Sequence, residues 1–418
     1  PRSSAEVVVA SIGSQFAPRV ALGRTVSAIA SARRAVLADR YAINSFAVEW
    51  RWLADLLPVA DDWRDLAGRS IESNVFYDPS FALAAASVFG NEVGAVLVWS
   101  GTAPRQLLGF FPARVSERRY GLKLPVLVGW THPYGPLGTP LVDRGAAEPV
   151  IAAWLAYIAG DPSLPGLLLL PLIAEDEPFA LTLGTILQRM QMPCADFARH
   201  HRALLAPRQD RSHYLENAIS AHRHRELRRS GRRLSDAGAL LFTTASEPAA
   251  VAAGVEDFFA VEASGWKGEA GTAAAHHEEV TSFIKAALPG LAEEGKVAVH
   301  RLLLDGRAIA AAITLHSGDT AWYWKTAYDE NFARFAPGVL LSAALTEELA
   351  DDGAIARTDS CAAPGSPTLD HIWSERLTLC NRMIAVRPEA PFARACRLET
   401  LRTTAIAAGK SIRSHMCG

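Results

Sequence analysis

Runs of apolar residues separated by turn signals are clearest between residues 297 and 328. Val297 to Leu304 is mostly apolar, Asp305-Gly306 is a two-residue hairpin signal, and Ala308 to Leu315 is apolar again. After a second turn, Ala321 to Tyr328 carries four aromatic residues. The pattern predicts a β-hairpin followed by a third, aromatic strand.

A helix is predicted directly after this strand. Apolar residues recur at helical spacing from Val339 to Ala350, behind a Pro337-Gly338 turn. The segment from Ala354 to Thr358 is then short enough to be a buried strand. A loop that leads into a helix N-terminus can hold a phosphate or carboxylate on unpaired amides, and Arg334 adds guanidinium donors.

The first half of the chain repeats this order of elements less regularly. Strands are predicted at Gly94 to Trp99, Gln106 to Pro112 and Leu167 to Leu172, and helices at 147–159 and 179–190. The loop from Trp130 to Leu141 contains too many prolines and glycines for a helix or a central strand.

A basic segment lies between the halves. Residues 211–237 predict one long polar helix, and the stretch from Ala221 to Leu234 has six arginines and one glutamate, a charge of +5. This stretch could bind phosphates of CoA, tRNA or a nucleotide sugar. It could equally be a solvated helix whose charges pair with acidic surface elsewhere in the chain, which is the commoner role of a charge run.

Composition narrows the class of protein. The 418 residues are 50% hydrophobic and 21% charged with a net charge of −2, which is ordinary for a soluble protein and selects neither nucleic acid nor membrane. Five cysteines without metal-type spacing favour a reduced, cytoplasmic setting. No apolar run is long enough to span a bilayer.

Four short motifs carry a resemblance to a known family. They are Ser264 to Gly268, Trp324 to Asp329, Pro337-Gly338 and Asp359 to Ala362. Together they resemble the CelD-like acetyltransferases, a branch of the GNAT acyltransferase superfamily related to the Fem peptidyltransferases. The resemblance implies an α/β fold with mixed sheets, in which two GNAT-like domains stand in tandem and the N-terminal copy is degenerate.

The predicted domains follow from this resemblance and from composition. Residues 1–45 are rich in Ala, Ser and Arg, and we expect a poorly ordered extension there. The N-terminal GNAT-like domain is expected at 46–206, the acyltransferase domain with its basic linking helix at 207–400, and a tail at 401–418.

The same resemblance implies an acyl-CoA co-substrate. In the superfamily, the loop before the helix binds the CoA pyrophosphate through a Gln/Arg-x-x-Gly-x-Gly/Ala motif. Here the corresponding residues are Arg334, Pro337, Gly338 and Val339, and their spacing departs from that motif.

Three residues are candidates for the chemistry of acyl transfer, which needs a proton acceptor and a donor for the oxyanion. Asp359 is the leading general base, although an Asp at this position also commonly caps a turn. Lys325 could carry substrate charge, and regular alternation places it on the face of Tyr323, opposite Trp324. Tyr328 could protonate the leaving thiolate or could simply pack.

The acceptor cleft has five candidates. Trp266 and Lys267 precede a glycine-rich segment typical of a mobile loop, and Trp266 could also be a core anchor. Trp324 lies on the aromatic strand, and His132 and Tyr134 come from the proline-rich loop of the first half. A lone loop histidine is more often structural. No metal is expected.

Three functions stay open on the sequence. The first is an acyl-CoA-dependent N- or O-acyltransferase, in particular an acetyltransferase, that acts on an envelope- or exopolysaccharide-related acceptor. The second is a Fem-like transferase with an aminoacyl-tRNA donor. The third is a non-catalytic GNAT scaffold. Binding of acyl-CoA separates the first from the third, and co-purified RNA would indicate the second.

Overall fold

The structure, a computed structural model, describes residues 45–207, 211–264, 277–363 and 367–416. The predicted N-terminal extension therefore lies outside the described residues, apart from Ser45.

The first half of the described chain contains seven strands and four helices. They are β1 (Phe46–Trp52), α1 (Ala60–Arg69), α2 (Pro79–Phe89), β2 (Val93–Ser100), β3 (Leu107–Arg119), β4 (Leu122–Gly129), β5 (Leu141–Val142), α3 (Ala147–Gly160), β6 (Leu167–Ala174), α4 (Pro178–Arg189) and β7 (Cys194–Leu205).

The second half of the described chain contains six strands and seven helices. They are α5 (Tyr214–Ala218), α6 (Ala221–Ser235), β8 (Leu240–Ala245), α7 (Pro248–Ala263), α8 (Glu278–Glu293), β9 (Val297–Leu304), β10 (Arg307–Ser317), β11 (Thr320–Tyr328), α9 (Pro337–Asp351), β12 (Arg357–Asp359), α10 (Pro367–Asp370), β13 (Glu375–Ala385) and α11 (Phe392–Met416).

All thirteen described strands belong to one sheet, and its order is nearly a palindrome. It runs β1-β2-β3-β4-β6-β13-β7-β12-β11-β10-β9-β8, with β5 attached to β3. In each half, four antiparallel strands are followed by a helix and a parallel strand: β4 pairs with β6, and β11 pairs with β12. The two halves are therefore copies of one arrangement, related by an approximate twofold axis between β13 and β7.

The halves also exchange a strand. The last strand of the first half, β7, pairs with β12 of the second half, and β13 of the second half pairs with β6 of the first. These two exchanged strands pair with each other at the centre. Because neither half can complete its sheet alone, the topology ties them together. The predicted mixed α/β fold with two copies of one unit is confirmed.

Most of the strands and helices predicted for the second half are confirmed. The hairpin turns at Asp305 (φ 49°) and Gly306 (φ 80°), the two left-handed positions of the predicted turn type. The last predicted strand, 354–358, is instead the short β12, which begins at Arg357.

The predicted single helix at 211–237 is wrong. The chain breaks between α5 and α6 at Ser220, whose extended backbone begins a new helix and whose hydroxyl accepts a hydrogen bond from the amide of Arg223 at 3.2 Å. Serine at this position is a strong helix-start signal, and it divides the polar run into two helices.

In the first half, the opening between β4 and β6 is filled by the chain itself. The two strands pair only at Leu127–Leu168 and Val128–Leu169. Beyond that pairing, the loop of residues 130–140 lies against β6, and the amide of Gly138 donates to the carbonyl of Leu172 at 3.0 Å. A Cβ atom at Gly138 would stand only 2.0 Å from the carbonyl oxygen of Pro171. Only glycine allows this approach, so the loop closes this copy of the opening.

Candidate functional site

The corresponding opening in the second half is a pocket. Strands β11 and β12 pair over three positions, from Thr320–Arg357 to Trp322–Asp359. Beyond Trp322, β12 no longer covers the edge of β11, and helix α9 begins beside this free edge. A pocket of ≈ 390 Å³ lies there, lined by Glu262, Thr326, Ala327, Tyr328, Ala333, Ala336, Gly338, Val339, Ser342 and Thr368.

A β-bulge in β11 changes which side chains share a face. Tyr323 pairs with Thr314 and Lys325 pairs with Ile313, so Trp324 is the extra residue. As a result, Lys325 and Trp324 lie on the same face, and the expectation from regular alternation is wrong. The Lys325 Nζ lies 3.8 Å from the ring centroid of Tyr134, whereas the Tyr323 hydroxyl is on the other side of the sheet, 2.9 Å from Ser342 Oγ.

The N-terminus of α9 faces the pocket without a side-chain cap. Its N-cap residue is Ala336 in a left-handed conformation (φ 51°, ψ 52°), and Pro337 follows as the first helical residue. Gly338 and Val339 line the pocket, and a Cβ atom at Gly338 would meet the Tyr328 ring at 3.1 Å. The small residue therefore keeps the helix start open to an anion, as its dipole and first amides favour.

The carboxylate that lines this pocket is Glu262, which the sequence reasoning missed. It lies in the last turn of α7, and the residue is only 5% exposed. Val255 and Phe258 are buried on the same helical face, seven and four residues earlier. An acidic residue on the otherwise apolar face of a predicted helix was the sequence signal that could have identified Glu262. Its negative charge, after the larger effect of burial, raises the pKa of Tyr134.

Asp359, the predicted base, lies in a different environment. It forms a buried ion pair with Arg202 of β7 and accepts a hydrogen bond from the amide of Cys361 at 3.0 Å. Arg202 also donates to the carbonyl of Pro136 at 3.0 Å. Asp359 thus joins β12 to the exchanged strand and to the loop of residues 130–140, and it does not line the 390 Å³ pocket.

The three remaining described acceptor candidates meet in one aromatic cluster. His132 stacks on Phe89 with ring centroids 4.6 Å apart, and the Trp324 indole N–H donates to the Tyr134 carbonyl at 2.7 Å. Both ring nitrogens of His132 are buried without a hydrogen-bond partner in the described structure. Burial, helped by the charge of Lys325, lowers the pKa of His132 to about 3. Trp266 and Lys267 lie outside the described residues.

The predicted anion-binding residues divide into two groups. Pro337, Gly338 and Val339 form the start of α9, as described above. Arg334 is exposed, and its guanidinium carbon lies 4.7 Å from the ring centroid of Phe335, outside the lining of the pocket.

Metal and membrane features are absent from the described parts of the chain. Among residues 45–207, 211–264, 277–363 and 367–416, no group of three or more His, Cys, Asp or Glu side chains is placed to hold a metal ion. None of the helices described there combines the length and apolar character that crossing a membrane requires.

A comparison with known protein families gives a match in the half of the chain that carries the pocket. The sequence profile described as acetyltransferase (GNAT) domain matches residues 221–364, which include β8 to β12 and α9. The C-terminal half carries a GNAT domain. The palindromic sheet makes the N-terminal half a second GNAT-like copy, and its filled opening is the respect in which that copy is degenerate. The narrower resemblance to the CelD-like branch stays a prediction.

Several solved structures are similar to this chain at low sequence identity. FemX has a TM-score of 0.51 and 10% identity, over 78% of this chain and 95% of FemX. A conserved protein of unknown function from Bacteroides thetaiotaomicron has a TM-score of 0.49 and 11% sequence identity, and the match covers 81% of this chain and 99% of that protein. A tandem GNAT protein from the clavulanic acid biosynthesis pathway has a TM-score of 0.39 and 13% sequence identity, and the match covers 82% of this chain and 100% of that protein. The FemX likeness supports the fold alone. No curated protein matches the sequence.

Proposed function

We propose that the protein is an acyltransferase that moves an acyl group, in particular acetyl, from acyl-CoA to an amine or hydroxyl of an envelope- or exopolysaccharide-related acceptor. One observation carries the proposal. Within the segment that matches the GNAT profile, an open pocket combines the free edge of β11, the uncapped start of α9 and a buried carboxylate.

The donor would bind by backbone contacts. The free edge of residues 323–328 offers amides and carbonyls that an extended pantetheine arm can pair with, as an added strand does. The pyrophosphate would lie at the amides of Gly338 and Val339, where the helix dipole favours negative charge. Because backbone groups do this work, the departure from the usual motif spacing leaves the mode of binding intact.

Glu262 would accept the proton of the acceptor. The acceptor nitrogen or oxygen attacks the thioester carbonyl carbon, its proton passes to the Glu262 carboxylate, and the C–S bond then breaks. Tyr328, which lines the same pocket, would give a proton to the departing thiolate. We assign the base to Glu262 rather than Asp359 because Glu262 lines the pocket, whereas Asp359 lies outside it in the buried ion pair with Arg202.

Lys325 and the aromatic cluster would form the acceptor side. The ammonium of Lys325 lies over the ring of Tyr134, and the Trp324 indole N–H donates to the carbonyl of the same Tyr134. An aromatic face beside a cation suits a sugar ring with a polar or anionic substituent. We propose that Lys325, Trp324, Tyr134 and His132 line the acceptor end, with the first two closest to the reacting atoms.

A substitution at Glu262 tests the chemistry separately from binding. Saturating acetyl-CoA, at about a hundred times its dissociation constant, should stabilise both the natural chain and Glu262→Gln by roughly 2.7 kcal/mol in thermal unfolding. Acyl transfer, followed as release of free CoA thiol with an amino-sugar acceptor, should fall about 10²-fold or more in Glu262→Gln, because the proton acceptor is lost.

The matched control is Glu256→Gln on the same helix, since Glu256 is exposed and pairs with Lys285. It should keep full activity. If neither acetyl-CoA nor longer acyl-CoAs stabilise the natural chain, the acyl-CoA proposal fails. If Glu262→Gln transfers as fast as the control, the assignment of the base fails.

A second candidate is an aminoacyl-tRNA donor, and one observation favours it. Arg225, Arg228, Arg229 and Arg232 of α6 are exposed and form no ion pair with any described residue, whereas His222 and Arg223 share Glu226. Pairing with acidic surface therefore does not explain these four arginines. RNA that co-purifies with the chain, and tRNA affinity that falls steeply with salt, would support this candidate over acyl-CoA.

A further inference from the structure

Two arginines from separate elements meet at one aromatic ring. Arg233 lies near the end of α6, and its guanidinium carbon is 5.4 Å from the ring centroid of Phe335. Arg334 lies in the short helical turn before α9, with its guanidinium carbon 4.7 Å from the same centroid. The ring itself is buried, with 6% of Phe335 exposed. Both guanidinium groups therefore lie against the ring of Phe335.

Neither charge is balanced within the described chain. Arg233 and Arg334 have no ion-pair partner among the described residues, and the nearby exposed face of α6 adds further arginines. Two like charges on one ring repel, so their placement costs free energy unless an anion lies between them. Stacking on an aromatic ring leaves the N–H groups of each guanidinium available to phosphate oxygens.

The pair lies at the rim of the donor pocket. Phe335 directly precedes Ala336, which begins α9 and lines the pocket. A donor whose pyrophosphate lies at the start of α9 would extend its nucleotide end past Phe335. Close to neutral pH a phosphate monoester there carries a charge near −2, which two guanidinium groups can match.

We propose that Arg233 and Arg334 clamp a phosphate monoester at the nucleotide end of the donor, the 3′-phosphate in the case of CoA. The inference rests on the proposed acyl-CoA function and adds to it a basis for donor selection. Arg233 comes from α6 and lies outside the loop that the resemblance assigns to the donor.

Calorimetric titration of the full chain with CoA and with 3′-dephospho-CoA tests the clamp. The natural chain should bind CoA about tenfold or more tightly than 3′-dephospho-CoA, because charge-assisted hydrogen bonds are lost with the phosphate. In Arg233→Ala and in Arg334→Ala, CoA affinity should fall by about the same factor. Affinity for 3′-dephospho-CoA should stay unchanged in both.

Arg225→Ala is the control of equal charge, because Arg225 lies on the same helix about 12 Å from Arg233 along its axis. It should leave both affinities unchanged. If the natural chain binds both ligands equally, or if Arg225→Ala loses as much CoA affinity as Arg233→Ala, the clamp is refuted while the acyl-CoA function stands. If neither ligand binds, the proposed function itself fails.

Discussion

Replacing Asp359 by Asn should destabilise the fold rather than remove a catalytic group. The side chains of Arg202 and Asp359 are 2% and 4% exposed, so water cannot solvate the guanidinium once the carboxylate charge is gone. The remaining acceptor near Arg202 is the carbonyl of Pro136, a single neutral group. Breaking a buried pair from one side costs about 3–5 kcal/mol, and we expect Asp359→Asn to lose free energy of unfolding in that range.

Urea unfolding followed by tryptophan fluorescence measures this loss. The double variant Arg202→Met/Asp359→Asn should be more stable than the sum of the single effects predicts, because it leaves no unpaired buried charge. The control is Asp65→Asn, since Asp65 is 60% exposed in its pair with Arg69 and should change stability by no more than about 1 kcal/mol.

One result would refute this reasoning. If Asp359→Asn unfolds with the same free energy as the natural chain but loses acyl transfer, the ion pair contributes nothing and Asp359 is the base. Loss of stability with retained transfer per folded molecule is the result we expect.

Two further predictions concern pH. Burial raises the pKa of Glu72 to about 7. The contribution of Glu72 to the free energy of unfolding is therefore full below pH 4.5 and is lost as pH rises through 7. The free energy of unfolding of Glu72→Gln, relative to that of the natural chain, should rise by about 3 kcal/mol from pH 5 to pH 8. A difference between the two proteins that stays constant with pH would contradict this. Burial lowers the pKa of His132 to about 3, so its contribution is present above pH 6.5 and is lost as pH falls toward 3. The free energy of unfolding of His132→Phe, relative to that of the natural chain, should therefore rise by about 3 kcal/mol as pH falls from 7 to 4. An equal loss of stability in acid for the two proteins would rule this out.

The sequence by itself determined the local order of elements around the site. The turn at Asp305-Gly306, the aromatic strand and the Pro337-Gly338 helix start depend on neighbouring residues, whose turn and helix preferences are local. The same stretch carried the family resemblance, and with it the prediction of two GNAT-like copies. Ser220, which divides the basic segment into two helices, was also a local signal, and it was overlooked.

Tertiary structure decided which side chains meet. Glu262 lines the pocket because α7 packs on the sheet. Asp359 lies outside the pocket because it pairs with Arg202, which is on a strand exchanged from the other half. The bulge at Trp324 turns Lys325 toward Tyr134 in the loop of residues 130–140, and the same loop fills the opening in the first half. These placements join residues far apart in sequence, so they depend on the packing of the whole sheet and no local preference encodes them.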